Sequence, residues 1–136
     1  MTQQFNFELV SPEQKLISAP AYQVTIPGEA GDVGVRAGHM ALVMTVRPGV
    51  IEVVREQGGS VEKLFVAGGF ADIAQSHCTV LAEEAINLAS LNADKLEQEY
   101  ANLGESLTIA DNEADKARLQ ARRELVKSML DAVRKA

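Results

Sequence analysis

The chain is poor in the residues that several function classes require. It has one cysteine, Cys78, among 136 residues. An intrachain disulfide is therefore excluded, and a cysteine-based zinc site lacks ligands. It has no tryptophan and an aromatic share of 4%, too little for the stacking platforms that hold single-stranded nucleic acid. Positive charge is in deficit, with 13 Lys and Arg against 19 Asp and Glu for a net charge of -6. A chain so balanced is a poor general binder of DNA, RNA or anionic lipid, because phosphate attraction needs surplus positive charge. No apolar run approaches the roughly 20 residues needed to span a bilayer as a helix. The stretch from Met1 to Phe7 has no basic region leading into an apolar one, so it does not read as a secretion signal.

What is present is ordinary globular composition, 46% hydrophobic and 24% charged, in a length that fits one domain or a small domain with an appendage. The composition changes along the chain. Nine of the ten glycines fall between Gly28 and Gly69, and all four prolines lie at or before Pro48. Residues 90–136 hold eight basic and nine acidic residues together with many alanines. Turn formers at the front and helix formers at the back predict two units, 1–88 and 89–136.

The front half reads as strands. Phe5, Phe7 and Leu9 alternate with Asn6 and Glu8, and Val24 and Ile26 with Gln23 and Thr25, the period of a half-buried strand. Val50–Val54 and Val61–Val66 flank Glu56-Gln57-Gly58-Gly59-Ser60 as a hairpin, and Thr79–Ala82 is a further short strand. Short strands with frequent turns point to a β-sandwich or flattened barrel. The back half reads as an antiparallel helical hairpin. Ser90 or Asn92 caps the first helix, and Leu96, Tyr100 and Leu103 form its stripe. Gly104 is a candidate stop, although the pattern runs on to Leu107. Thr108–Asp111 reads as the connection. Ala114, Ala117, Ala121, Leu125, Met129 and Val133 form the stripe of the second helix. Two such helices bury little surface alone and must dock on something.

Catalytic signals are missing. His39 and His77 sit in no nucleophile motif, no HxxxH or HExxH spacing occurs, and neither a catalytic nor a metal site is expected. Gly28–Gly34 has the glycines of a phosphate loop. It lacks the terminal Lys-Ser/Thr, enters no helix and carries Glu29 and Asp32, so it reads as a turn between strands. Glu83 and Glu84 are adjacent on a strand end and point to opposite faces. The basic residues of the second helix read as a solvated face with i,i+4 partners, or as a surface for an acidic partner.

One stretch, Ile26-Pro27-Gly28-Glu29-Ala30-Gly31-Asp32-Val33-Gly34-Val35-Arg36-Ala37-Gly38-His39-Met40-Ala41-Leu42, resembles the signature of the epsilon subunits of F-type ATP synthases, whose mitochondrial counterpart is called delta. Arg47-Pro48-Gly49 follows at the family's spacing. Val66-Ala67-Gly68-Gly69-Phe70, Val80-Leu81-Ala82-Glu83 and the opening Phe7-Glu8-Leu9-Val10-Ser11-Pro12-Glu13 resemble further family blocks, so the resemblance spans the whole chain. It implies an N-terminal β-sandwich followed by a C-terminal helical hairpin. It implies a noncatalytic subunit that binds the gamma subunit and the membrane c-ring in the central stalk, helps couple proton-driven rotation to ATP synthesis, and uses no cofactor. Carried over residue by residue, the ring-contacting loop falls on Ala30, Gly31 and Asp32, with His39 and Met40 close by. In some members the last helix reaches the alpha and beta subunits of the catalytic head and blocks hydrolysis; Arg118, Arg122, Arg123 and Lys127 are the candidates here. Some members bind ATP through an Ile/Leu-Asp-x-x-Arg-Ala motif. At that place this chain has Asn92, Lys95 and Leu96, and Lys lacks the planar fork of Arg, so weak or absent ATP binding is expected. Membrane contact is expected only through the complex, on the cytoplasmic face of a bacterial inner membrane. Without the resemblance, the same residues also describe an autonomous β-sandwich binding module with a helical tail.

Overall fold

A computed structural model describes residues 3–135, leaving Met1, Thr2 and Ala136 aside. The chain divides into two compact units, Met1–Asn87 and Leu88–Ala136.

The first unit is all strand: β1 (Phe5–Val10), β2 (Lys15–Ala21), β3 (Gln23–Gly28), β4 (Gly31–Val35), β5 (Leu42–Val46), β6 (Gly49–Val54), β7 (Val61–Val66), β8 (Gly69–Ile73), β9 (His77–Ala82) and β10 (Ala85–Asn87). They form one hydrogen-bonded sheet in the order β10-β7-β6-β3-β5-β8-β9-β1-β2, with β4 attached to β3. Pairing is antiparallel except between β1 and β9, where Phe7 lies beside Cys78. Alternation decides which residues enter the core. Phe5, Phe7 and Leu9 of β1, Val24 and Ile26 of β3, Ile51 and Val53 of β6, and Val80 of β9 join one buried cluster. A sheet whose separated strands share one core has folded over on itself, which is the sandwich expected from the sequence.

The fold turns on β3. Gln23 to Thr25 pair with β6, whereas Gly28 pairs with Val46 of β5. The strand therefore passes from one run of the sheet to the other, and Pro27 sits at the crossing. Pro20 is tolerated because β2 ends the sheet order. Sequence periodicity missed β2, β4, β5, β8 and β10. These carry proline or glycine, or are apolar on both faces, and so do not alternate cleanly.

The second unit opens with a single turn of tight helix at Leu88–Ser90, followed by α1 (Ala93–Ile109) and α2 (Glu113–Lys135). Asn92 caps α1, its side chain accepting the Lys95 N–H at 3.2 Å. Asn112 does the same for α2, accepting from Asp115 N–H at 2.8 Å. Two expectations need correction. Gly104 does not stop α1, which continues to Ile109, so only 110–112 connect the helices. The glycine is kept inside the helix by what it makes room for: a Cβ there would lie 3.1 Å from Nη2 of Arg123. The stripe of α2 is also rotated from the expected one. Ala114, Ala117 and Ala121 are exposed, whereas Met129 is buried as expected and is joined by Val126 and Leu130, with Leu125 and Val133 half-buried. Alanines satisfied the spacing but offer little area, and the larger side chains chose the face.

Candidate functional site

The β3–β4 hairpin closes on a two-residue turn, Glu29-Ala30, between the paired Gly28 and Gly31. Gly28 has no alternative, since a Cβ there would meet Met44 Cε at 2.5 Å and the Gly31 carbonyl oxygen at 2.6 Å. Gly31 has φ +137°, a conformation that other residues avoid. Ala30, Gly31 and Asp32 are thereby presented on an exposed tip. Asp32 is not a free acceptor. Its Oδ1 lies 2.6 Å from Nη2 of Arg47, whose Nη1 donates to the Gly28 carbonyl at 2.5 Å. The sequence reading assigned Arg47 no role. The signal available was a lone arginine before Pro-Gly at the end of a strand.

His39 and Met40 lie elsewhere. They follow β4, whose five residues set the loop and the tip at opposite ends, about 13 Å of strand apart. That loop is shaped by Gly38 at φ +85°, whose N–H donates to Gln75 at 2.8 Å, and His39 Nδ1 lies 2.7 Å from the Met40 carbonyl. Met40 is 80% exposed. The fold thus does not gather the five candidate residues into one cluster.

A surface that the sequence reading did not name lies on the outer face of β5, β8 and β9. Ala71, Ile73 and Val80 point into the core, so their neighbours must point out. Phe70 pairs with Thr45 on one side and Leu81 on the other, and Leu81 lies beside Val10. Phe70 is 59% exposed, Leu81 54% and Val43 73%. A phenyl ring thus stands exposed near aliphatic side chains on adjoining strands. The available signal was that β8 and β9 are apolar at successive positions.

The four basic candidates of α2 differ in engagement. Arg118 pairs with Asp115 of its own helix at 3.1 Å, one turn back at i,i+3 spacing rather than the expected i,i+4. Arg122 reaches across to Glu99 at 2.8 Å, and Arg123 lies over the Tyr100 ring at 4.1 Å. Arg134 adds a further pair with Glu97. Early α1 meets late α2, the antiparallel arrangement. Lys127 is exposed and makes no ion pair among the described residues.

Cys78 is buried, and burial, then the charge of Asp72, pushes its thiol up to about 12. A thiol held neutral is inert as a nucleophile. His77 and Glu83 are exposed, and no group of three or more His, Cys, Asp or Glu among the described residues is placed to hold a metal ion.

The fold defines a class: a β-sandwich followed by a C-terminal helical hairpin. The family described as ATP synthase, Delta/Epsilon chain, beta-sandwich domain matches residues 4–88. The ATP synthase epsilon chain of Rhodospirillum rubrum is 41% identical over 133 residues, covering 97% of this chain and 98% of its own. That of Rhodospirillum centenum is 40% identical over 137 residues, covering 98% and 94%. A chain in the Euglena gracilis mitochondrial ATP synthase structure (OSCP/F1/c-ring) shares the fold with a TM-score of 0.83 at 24% identity, over 96% of this chain and 81% of that one. A chain in the Tetrahymena thermophila mitochondrial ATP synthase structure (central stalk/c-ring) gives 0.68 at 16% identity, over 97% and 98%. The chain belongs to the ATP synthase delta/epsilon family. It is a noncatalytic subunit, the assembled synthase being the enzyme. That synthase is membrane-bound, and no helix among the described residues is long and apolar enough to cross a membrane.

Proposed function

We propose that this chain is the central-stalk subunit of a proton-translocating F-type synthase, binding gamma and the c-ring so that rotation driven by proton flow is coupled to ATP synthesis. The observation that carries this is kinship with epsilon chains over nearly the whole length, at 41% identity. The surfaces support a division of labour within residues 1–88. The apolar face around Phe70 and Leu81 suits a permanent protein partner, gamma, because its burial would remove exposed phenyl and aliphatic area from water. The tip at Ala30-Gly31-Asp32 suits the polar loops of the ring. Relatives from bacteria favour the cytoplasmic face of the bacterial inner membrane as its place.

The experiment is recovery of partners by tagged chain from its native membranes, read by mass spectrometry. Gamma, alpha, beta and the ring subunit are expected together. Their absence from an intact complex with an accessible tag would refute the stalk role and return the chain to a free-standing binding module. Within the same reading, residues 89–136 are a regulatory unit whose Arg118, Arg122, Arg123 and Lys127 meet acidic residues of the catalytic head. Arg122 and Arg123 would have to give up Glu99 and Tyr100 to do so. Truncation after Leu88 is expected to raise ATP hydrolysis by the complex; an unchanged rate refutes inhibition by the hairpin. ATP binding stays weak in this reading. Asn92 is occupied as a helix cap, and calorimetry with sub-millimolar affinity would contradict it.

A further inference from the structure

The β3–β4 hairpin is thinly supported at its tip. β4 pairs with β3 alone. Gly31, Asp32 and Gly34 are exposed, Val33 is half-buried, and only Val35, at the far end, is buried. Side-chain packing therefore anchors one end of β4 and leaves the tip without it. A two-strand ribbon held only by its own ladder is marginal in water.

The tip is instead held from the side by the chain leaving β5. Glu29 N–H donates to the Thr45 carbonyl at 3.0 Å, and Arg47 N–H donates to the Pro27 carbonyl at 2.9 Å. The Arg47 guanidinium then spans both strands of the hairpin. It reaches the Gly28 carbonyl on β3 at 2.5 Å and the Asp32 carboxylate on β4 at 2.6 Å. Pro48 restricts the backbone of Arg47 to extended conformations, so the side chain starts from a fixed direction. Two nitrogens of one planar group serve two acceptors on different strands, which a point charge on a flexible stem cannot reproduce.

We propose that Arg47 is a positioning residue: its fork ties Gly28 to Asp32 and sets the β3–β4 tip before any partner arrives. The consequence for the ring rests on the reading that this tip meets it. Asp32 then acts through Arg47 within the chain, as the second anchor of the clamp. A tip ordered in advance saves the partner the entropy of ordering it.

The test uses the full chain with Arg47→Gln, Arg47→Lys, Asp32→Asn and the double variant Arg47→Gln/Asp32→Asn. Amide hydrogen exchange reads the hairpin without any ring present. Loss of the clamp is expected to speed exchange at Gly31 to Val33 by about fivefold, the scale of one well-oriented ion pair. Core amides such as those of Ile51 and Val80 stay unchanged, which separates positioning from general destabilisation. Lys is expected to fall between Arg and Gln. The double variant is expected to loosen the tip less than the two single effects multiplied, because both remove one interaction. Unchanged exchange at the tip in Arg47→Gln overturns the proposal. Proton-driven ATP synthesis by complex carrying Arg47→Gln is the second readout. It is expected to fall about threefold if the tip must arrive ordered. A loosened tip with full synthesis leaves the clamp standing and overturns the ring-facing reading.

Discussion

Gly104→Ala is the substitution whose outcome two opposing effects decide. Glycine in a helix interior costs about 1 kcal/mol relative to alanine, and Gly104 lies well inside α1. Propensity alone therefore predicts a more stable hairpin. Against it stands Arg123. The added Cβ would sit 3.1 Å from Nη2 and 3.5 Å from both Cζ and Nε, a few tenths of an ångström too close at the nearest atom. The guanidinium has little freedom to yield, because it lies 4.1 Å over the Tyr100 ring. A stacked cation of this kind is worth ~0.5–2 kcal/mol, and partial displacement forfeits part of that. The two effects nearly cancel, so Gly104→Ala is expected to change stability by less than about 0.5 kcal/mol. The separation comes from repeating it with Arg123→Met, which keeps the apolar stem and removes the guanidinium. There the full gain of about 1 kcal/mol should appear. The assay is urea unfolding of the whole chain followed by far-ultraviolet circular dichroism, which reports the helices. A coupling of about 0.5–1.5 kcal/mol between the two sites is expected; equal effects of Gly104→Ala in both backgrounds would refute the packing argument.

Gly69→Ala is expected to be among the most damaging single-methyl additions in the sandwich. Its φ of +147° excludes other residues, and a Cβ would overlap the Leu81 carbonyl oxygen; a loss of about 2–4 kcal/mol should be measurable by denaturant unfolding. Asn92→Ala removes the cap from the first turn of α1 and should cost about 1 kcal/mol, with faster amide exchange at Lys95. Cys78 should resist thiol reagents at pH 8 until the sandwich unfolds. Its thiol ionises near 9.0 when free and near 12 in the fold, so the folded state holds the proton longer. Stability from this group is intact below pH 9 and declines as pH rises towards 12, and Cys78→Ala should flatten that alkaline decline in unfolding experiments.

Much of the fold was legible because it is written locally. Phe5, Phe7 and Leu9 alternate whatever lies across from them, and that alternation alone makes a strand with one apolar face. Asn92 ahead of a helical stripe caps a helix through its own next turn. The shift from glycine and proline to alanine and charge marks the change from sheet to hairpin for the same reason. The ordered blocks from Ile26 to Leu42 and from Val66 to Phe70 carried the family as well. Periodicity failed where the chemistry is settled across the chain. Gly104 looked like a stop until Arg123, 19 residues on, required its missing side chain. The alanines of α2 fitted a stripe, but larger residues claimed the face. The partner of Asp32, Arg47, stands 15 residues away, beyond the reach of any short spacing. The sequence by itself determined β1, β3, β6, β7 and β9, the two helices and the kind of protein this is, since each rests on residue type and short spacing. Only the tertiary structure decided the crossing of β3, the outward phenyl of Phe70 and the Arg47 clamp. Those depend on which distant backbones come within hydrogen-bonding reach, and pairing over such separations leaves no period in the chain.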